Sequence, residues 1–458
     1  MFTLEEILKA TGGSLVNPGR NKKVRGVSID SRTIKPNELF VPIRGERFDG
    51  HSFIHRALRR GAGAVVFENS HCGSLKGAGD IPLIKVKDTR CALGALARYH
   101  RMKFDIPVVA VTGSNGKTST KEMLKEILKK RFSVLCNPGT QNNYIGVSLS
   151  MLRLRPRHQV AVFEIGANHR GEINELSRMV KPAIGVITNI GPSHLEYFKT
   201  LKGVLRAKLE LTGNLPKEGK LIINNDDELL SQVNGGFFRK VTFGLNDTSD
   251  FYGKVVRSTQ KETAFLLNGK KPIVLKASGR HNVYNALAGI AVARSFKISY
   301  DEIRQALKAF KGVPMRMQIV RRNNIKIIKD CYNSNPASFI CALDFLKGLK
   351  VKGKKVVVCG DMMELGPQAE KLHSNIGERI AEGKIDFLIT AGSLSRNIAS
   401  GARYRGMPQE AIRSFERVWQ AEKFLTKVIK SGDAVLIKGS RATQMERILK
   451  CFMNSSIR

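Results

Sequence analysis

Val108-Val109-Ala110-Val111-Thr112-Gly113-Ser114-Asn115-Gly116-Lys117-Thr118-Ser119 is the stretch on which the fold turns. An apolar run reads as a buried strand, a glycine-rich turn follows, and residues 117–130 have the composition of a helix. Strand, turn, Lys-Thr and helix together hold the phosphates of a nucleotide. The glycines let backbone N–H groups approach the phosphates, and the helix N-terminus adds partial positive charge. Lys117 is spaced to reach the β- and γ-phosphates, and the Thr118 hydroxyl to hold Mg²⁺. The full pattern has a glycine five residues before the second glycine. Here that position is Val111, so the loop is a shortened form, G-S-N-G-K-T.

Working outward from this loop, apolar strands alternate with helices from residue 104 to about 313, the pattern of a parallel sheet. Strands are expected at 108–112, 160–165, 184–188 and 221–224, with helices at 117–130, 172–180 and 201–211. A β-rich insertion is expected over 240–277, then an Ala-rich helix at 281–296. From 314 the alternation restarts: strands 354–359, 387–391 and 434–438, helices 368–380, 418–429 and 442–451. This reads as a separate doubly wound, Rossmann-like domain. Before 104 lie short strands (39–43, 64–67, 83–86) and helices (51–60, 90–103). The expectation is therefore an α/β protein of three domains: 1–103, 104–313 with the phosphate loop, and 314–458.

At 458 residues the chain exceeds one ordinary core, and 42% hydrophobic with 25% charged residues is a globular composition. Met1-Phe2-Thr3-Leu4-Glu5-Glu6-Ile7 lacks a basic region followed by an apolar core, so no secretory signal is expected; Thr3 and Glu6 form a capping-box pattern instead. No apolar run is long enough to span a bilayer. The seven cysteines (72, 91, 136, 331, 341, 359, 451) are scattered and lack metal-ligand spacing, which fits reduced thiols in a cytosol. The net charge of +38 is compatible with nucleic acid, a membrane surface or polyanionic substrates. Its lysines and arginines are spread along the chain, however, and a general bias toward lysine accounts for it best. One Trp, 7% aromatics and no interleaved basic-aromatic segment argue against a nucleic-acid binder.

Further polar residues stand where strands of the sheet should end. Glu164 closes the strand 160–163, and a carboxylate there, near the phosphate loop, suits Mg²⁺. His194 follows the strand ending at Thr188, a placement that suits a metal or a phosphate. Lys208, on a helix, reads by composition as one more solvated lysine. In the last block Arg316, Asp330-Cys331-Tyr332-Asn333-Ser334-Asn335-Pro336, Gly360-Asp361-Met362-Met363-Glu364-Leu365-Gly366 and Lys438-Gly439-Ser440-Arg441 form polar loops, three of them at strand ends, a candidate substrate face.

Taken in order, G-S-N-G-K-T-S, E-I-G-A-N-H, H-N-V-Y-N-A-L-A, D-C-Y-N-S-N-P, G-D-M-M-E-L-G and K-G-S-R resemble the Mur ligases over essentially the whole chain. Asp30-Ser31-Arg32 and residues 39–51 resemble that family's uridine-nucleotide domain. The resemblance implies a soluble, cytoplasmic, monomeric enzyme of peptidoglycan precursor synthesis that ligates an amide at the expense of ATP. Within the family the motifs lie nearest the member that takes UDP-N-acetylmuramoyl-tripeptide and D-alanyl-D-alanine. Alternatives are another Mur-type or a folylpolyglutamate-type amino-acid ligase. The resemblance further implies Thr118 and Glu164 on one Mg²⁺, and His194 on a second with Lys208 carried as a carbamate. It places Gly113 to Ser119, His281, Asn282, Arg316 and Asp330 on ATP, and Ser31, Arg32, Arg47, Phe48, Asn142, Asn143, Asn333 and Asn335 on substrate. Lys117, His194 and Lys208 are then the catalytic set.

Overall fold

The computed structural model describes residues 1–45, 48–70 and 79–449. They fall into two compact units, Met1–Ala110 with Phe132–Gly166 and Glu172–Ala183, and Val111–Arg131 with Ala167–Gly171 and Ile184–Arg458.

In the first unit a two-residue strand, Phe2–Thr3, leads into helix α1 (Leu4–Thr11). Its capping box is complete: Glu6 N donates to Thr3 Oγ1 at 3.2 Å, and Thr3 N to Glu6 Oε2 at 2.9 Å. Strands β1 (Ser14–Asn17), β2 (Gly26–Ser28), β3 (Glu38–Phe40), β4 (Ala64–Glu68) and β5 (Leu83–Val86) form a sheet in the order β1-β5-β4-β3-β2. All its pairs are parallel except β1 with β5. The expected helix at 51–60 splits into a 3₁₀ turn, Gly50–Phe53, and a helix, Ile54–Arg59. The Asp49 carboxylate caps the turn by accepting from His51 N, which tightens its start. Helix α2 (Thr89–Arg101), capped by Asp88, leads toward β6 (Val108–Thr112). Strand β6 is buried at every position, as a central parallel strand must be. Its first residues belong to the first unit and its last to the second, where helix α3 (Lys117–Leu128) follows. The first unit also holds β7 (Val134–Cys136), α4 (Tyr144–Met151), β8 (Val160–Glu164), parallel to β7, and α5 (Glu172–Val180).

In the second unit, β9 (Ile184–Ile187), α6 (Leu201–Leu209), β10 (Lys220–Asn224), β11 (Arg239–Gly244) and β12 (Phe251–Ser258) continue the parallel pairing from the end of β6. β13 (Thr263–Leu267) and β14 (Lys271–Leu275) add antiparallel at the edge. Residues 240–277 are thus not an insertion outside the sheet but its growing edge. The alternation of buried Thr263, Phe265 and Leu267 with half-exposed neighbours fits a strand with one covered face. That face is covered by helix α7 (Arg280–Ser295), buried from Asn285 to Ala293 and packed against α3 as well.

The remaining strands are β15 (Gln318–Arg322), β16 (Ile325–Asp330), β17 (Lys355–Gly360), β18 (Phe387–Ala391), β19 (Ile412–Phe415) and β20 (Ala434–Lys438), ordered β15-β16-β20-β17-β18-β19. β15 and β16 form a hairpin on Asn323 (φ 47) and Asn324 (φ 59), the two positive-φ residues that a two-residue turn of this hand requires. The other pairs are parallel. Helices α8 (Pro336–Gly348), α9 (Ala369–Glu382), α10 (Arg396–Tyr404) and α11 (Val418–Val428) cover both faces. Alternate residues of β17 serve the two cores: Val357 and Cys359 pack with Phe339, Ile376 and Ile398, and Val356 and Val358 with Ala421 and Leu425. The helix expected at 442–451 starts late: within the described residues, 3₁₀ turns Arg441–Thr443 and Met445–Arg447 come first, separated by Gln444 at φ 52, and only residues 448–449 are α-helical. No helix among the described residues is long and apolar enough to cross a membrane.

Candidate active site

The loop between β6 and α3 is built by close packing. Gly113 sits at φ 138 and Gly116 at φ 80. A Cβ on Gly113 would collide with Thr188 Oγ1, and one on Gly116 with Asn285 Oδ1. Residues after β9 clamp the loop from one side. Thr188 Oγ1 donates to Asn115 O at 2.5 Å, Asn115 N to Asn189 Oδ1 at 3.0 Å, Ser114 Oγ to Gly191 O at 3.0 Å and Gly191 N to Ser114 Oγ at 2.9 Å. Lys117 Nζ folds back on the loop, donating to Gly113 O at 2.7 Å and Ser114 O at 3.1 Å. The Thr118 hydroxyl is buried, and its Oγ1 meets no hydrogen-bond partner.

A small polar cavity of about 60 Å³ lies at this loop. Its walls include Lys117, Thr118, His194, Arg316, Asn333 and Glu364. Asn335 also reaches it, capping α8 while its Nδ2 donates to Asn115 Oδ1 at 2.9 Å. Asn333 Oδ1 accepts from Ser334 N at 2.9 Å. His194 Nδ1 lies 2.5 Å from Glu364 Oε2, a close contact bent away from a straight N–H···O line. The imidazole beside it holds the Glu364 carboxyl below the usual carboxylate range.

A larger cavity of about 500 Å³, within the range of small-ligand sites, adjoins the same loop. Gly116, Thr118 and Ser119 line it together with His281, Asn282, Arg316 and Asp330. Asn282 Nδ2 donates to Ser278 O at 2.8 Å and lies 3.1 Å from His281 Nε2. Burial pushes the His281 imidazole below its ordinary pKa. Arg316 stacks on the Tyr332 ring, its guanidinium carbon 4.4 Å from the centroid. Tyr284 OH donates to Asp226 Oδ2 at 2.8 Å on the same wall.

Lys208 is not the solvated lysine that composition suggests. It is 1% exposed, in the last turn of α6, with Nζ 5.5 Å from the centre of the Phe198 ring. Helical periodicity places it on the same face as buried Val204, a signal available in the sequence but outweighed by the ordinary behaviour of lysine.

In the first unit Glu164 is 1% exposed. Asn142 Nδ2 donates to its Oε1 at 2.7 Å, Asn137 holds its backbone at both N and O, and Oε2 is buried without a partner. Asn143 caps α4 by accepting from Gly146 N at 2.9 Å. Ser31 is buried; Arg32 is exposed and bidentate to Asp30, whose carboxyl the guanidinium holds down at about 2. Phe48 is 74% exposed, and Arg47 lies outside the described residues.

Four groups at these cavities or beneath them were not singled out from the sequence: Glu364, Lys438, Asn285 and Asp226. Glu364 and Lys438 sit in polar strand-end loops that sequence could flag only as a face. Asn285 lies within the H-N-V-Y-N-A-L-A motif, of which only His281 and Asn282 were assigned a role, and Asp226 carries no pattern that marks it.

A phosphate loop on a parallel sheet, walled by polar loops of a second α/β sheet, defines a nucleotide-dependent ligase of the Mur type, and this chain belongs to the Mur ligase family. Residues 23–101 match the Mur ligase family, catalytic domain, 111–293 the Mur ligase middle domain, and 315–441 the Mur ligase, glutamate ligase domain. The chain is 34% identical to UDP-N-acetylmuramoyl-tripeptide–D-alanyl-D-alanine ligase of Bacillus subtilis, covering 99% of both chains. It is 36% identical to the enzyme of the same name from Escherichia coli, covering 99% and 98%. Among solved structures, MurF from Acinetobacter baumannii superposes with a TM-score of 0.87 at 29% identity over 99% of each chain. MurF ligase from Thermotoga maritima in complex with ADP does so with 0.81 at 29%, covering 94% and 97%.

Proposed function

We propose that this chain is the ATP-dependent ligase that joins D-alanyl-D-alanine to UDP-N-acetylmuramoyl-tripeptide in peptidoglycan precursor synthesis. The observation that carries the reading is the pair of adjoining cavities at one phosphate loop, in a chain whose full length aligns with ligases of that name. The larger cavity receives the nucleoside of ATP between His281, Asn282 and Arg316. The loop N–H groups and Lys117 receive its phosphates, with Lys117 Nζ leaving the carbonyls of Gly113 and Ser114.

The tripeptide's terminal carboxylate attacks the γ-phosphorus, giving an acyl phosphate and ADP. The amine of the dipeptide then attacks the acyl carbon, and phosphate leaves. The first step brings two anions together and the second develops charge on the departing phosphate, so Lys117 and Arg316 act by neutralising charge where it develops. Thr118 and Glu164 are proposed as Mg²⁺ ligands, since each keeps a buried oxygen without a protein partner. His194 and Lys208, as a carbamate, are proposed for a second ion. Bound Mg²⁺ would supply charge neutralisation at phosphate oxygens. Ser31, Arg32, Arg47, Phe48, Asn142 and Asn143 are proposed on the UDP-muramoyl substrate, and Asn333 and Asn335 on the side where the dipeptide arrives. We propose domain limits of 1–103, 104–313 and 314–458, and a cytoplasmic monomer, in keeping with soluble substrates and free thiols at Cys331 and Cys359.

Phosphate release from ATP tests the reading. It should require UDP-N-acetylmuramoyl-tripeptide and be completed by D-alanyl-D-alanine. Faster turnover with diaminopimelate, lysine or glutamate as acceptor would reassign the chain within the family.

A further inference from the structure

We propose that Glu364 is a positioning residue, whose carboxylate fixes the orientation of the His194 imidazole beside the phosphate loop and so makes docking of the loop after β17 a condition for a competent site. This rests on the metal-bearing role proposed for His194 above. The two residues are 170 positions apart and come from different sheets. His194 Nδ1 and Glu364 Oε2 are nevertheless 2.5 Å apart. An ionised carboxylate only accepts, so one this close to Nδ1 favours the tautomer with the proton on that nitrogen and leaves Nε2 with a lone pair for a cation. A histidine that serves a metal through one nitrogen commonly gives the other N–H to a carboxylate, which sets its tautomer and ring angle.

Three further observations point the same way. Glu196 N donates to Glu364 O at 3.1 Å, so the backbone of the Glu364 loop is tied to the same turn that carries His194. Both residues have left-handed backbones, His194 at φ 54 and Glu364 at φ 65, a conformation that costs energy in non-glycine residues and is held here by the surrounding contacts. The Glu364 loop is itself anchored: Met363 N donates to Ser440 Oγ at 2.9 Å and Met362 N to His373 Nε2 at 2.9 Å. Glu364 and His194 then face the same small cavity as Lys117 and Thr118.

The test compares the full-length protein with Glu364→Ala and Glu364→Gln. Gln keeps an oxygen that accepts the Nδ1 proton and loses only the charge. Mn²⁺ affinity in the presence of a non-hydrolysable ATP analogue, read by electron paramagnetic resonance, should fall 10- to 100-fold in Glu364→Ala and less in Glu364→Gln. kcat should fall with it while KM for ATP stays within about twofold. Nitrogen-15 spectra of the histidine rings should show one imidazole losing a fixed Nδ1–H tautomer in Glu364→Ala and keeping it in Glu364→Gln. A folded Glu364→Ala protein with wild-type Mn²⁺ affinity and an unchanged tautomer would overturn the proposal. Failure of the wild type itself to bind Mn²⁺ with the analogue would instead overturn the metal role of His194 on which it rests.

Discussion

Lys438 Nζ lies 2.5 Å from Asp330 Oδ2 at the carboxyl ends of the neighbouring strands β20 and β16, and both side chains are buried. The pair also reaches the surface chemistry. Asp330 Oδ1 accepts from Met317 N at 3.2 Å, fixing the turn in which Met315 and Met317 have positive φ and Arg316 projects into both cavities. Removing one partner strands a buried charge. Lys438→Met should lower stability by about 3 kcal/mol in urea unfolding and raise KM for ATP, because Arg316 loses its support. Adding Asp330→Asn should recover part of the stability and none of the ATP affinity. A Lys438→Met protein as stable as wild type would show that the pair does not bear on either.

The phosphate loop gives a second prediction. Gly116 is left-handed, and a side chain there meets Asn285 Oδ1. Gly116→Ala should cost about 1–2 kcal/mol in stability and displace the loop from Asn285. Affinity for a fluorescent ATP analogue should fall about tenfold. Asn285→Ala in the same chain relieves the collision but not the backbone strain, so it should restore only part of the affinity. Equal affinity in Gly116→Ala and wild type would mean that the loop tolerates the displacement.

Lys117→Ala should leave the fold intact and reduce ligation by about 10²–10³-fold, the scale of losing one preorganised group that neutralises developing charge. Circular dichroism checks the fold and phosphate release checks the rate. Retained turnover in the folded variant would remove Lys117 from the chemistry.

Much of this arrangement was readable from local patterns, and the remainder was not, for physical reasons. Four buried residues running into a glycine-rich turn announced β6, the loop and α3, since both the strand and the phosphate cradle are made by neighbours in sequence. Short strands such as Ser14–Asn17 and Ile412–Phe415 went unseen because edge strands are half exposed and carry little alternation. Residues 240–277 had the right structure but the wrong place: periodicity reports a strand, not which strand it joins. The His194–Glu364 and Lys438–Asp330 contacts depend on loops brought together from distant positions, and no spacing rule reaches that far. Lys208 and Lys438 are among the least exposed side chains of the protein, yet lysine in a sequence reads as solvent-facing.

Acid should weaken the first unit through His100. Its ring is buried between Phe2 and Phe104, centroids at 5.6 and 5.0 Å, and Nε2 lies 3.1 Å from Leu154 O. Burial pulls its pKa down from 6.5 to about 4. The folded state therefore binds fewer protons than the unfolded state between these values. The stabilisation is complete above pH 6.5 and is lost as pH falls toward 4, about 3 kcal/mol in all. His158 and His373 shift the same way, so the protein's total slope is larger than this one group's. Urea unfolding at pH 7 and pH 5 should show a shallower pH dependence in His100→Gln than in wild type. Identical slopes would mean that His100 does not titrate on unfolding.

Lys208 carries the last prediction. A lysine that is 1% exposed must be paired or chemically altered, because an unpaired buried ammonium is costly. As a carbamate it would be an anionic oxygen ligand, formed from the neutral amine and dissolved CO₂ and stabilised by the cation it binds. Its place in Ala207-Lys208-Leu209-Glu210 agrees with the Mur ligase pattern for such a residue. Lys208→Ala should lose most activity while remaining folded, and a short carboxylic acid in solution should restore part of it by filling the vacated ligand position. Depleting bicarbonate should slow the wild type and leave the rescued variant unaffected, a contrast that a purely structural lysine would not produce. Full activity of Lys208→Ala in bicarbonate-depleted buffer would rule the carbamate out. A loss of activity matched by a fall in stability of several kcal/mol, with no rescue by carboxylic acid, would assign Lys208 to packing beneath Phe198 instead.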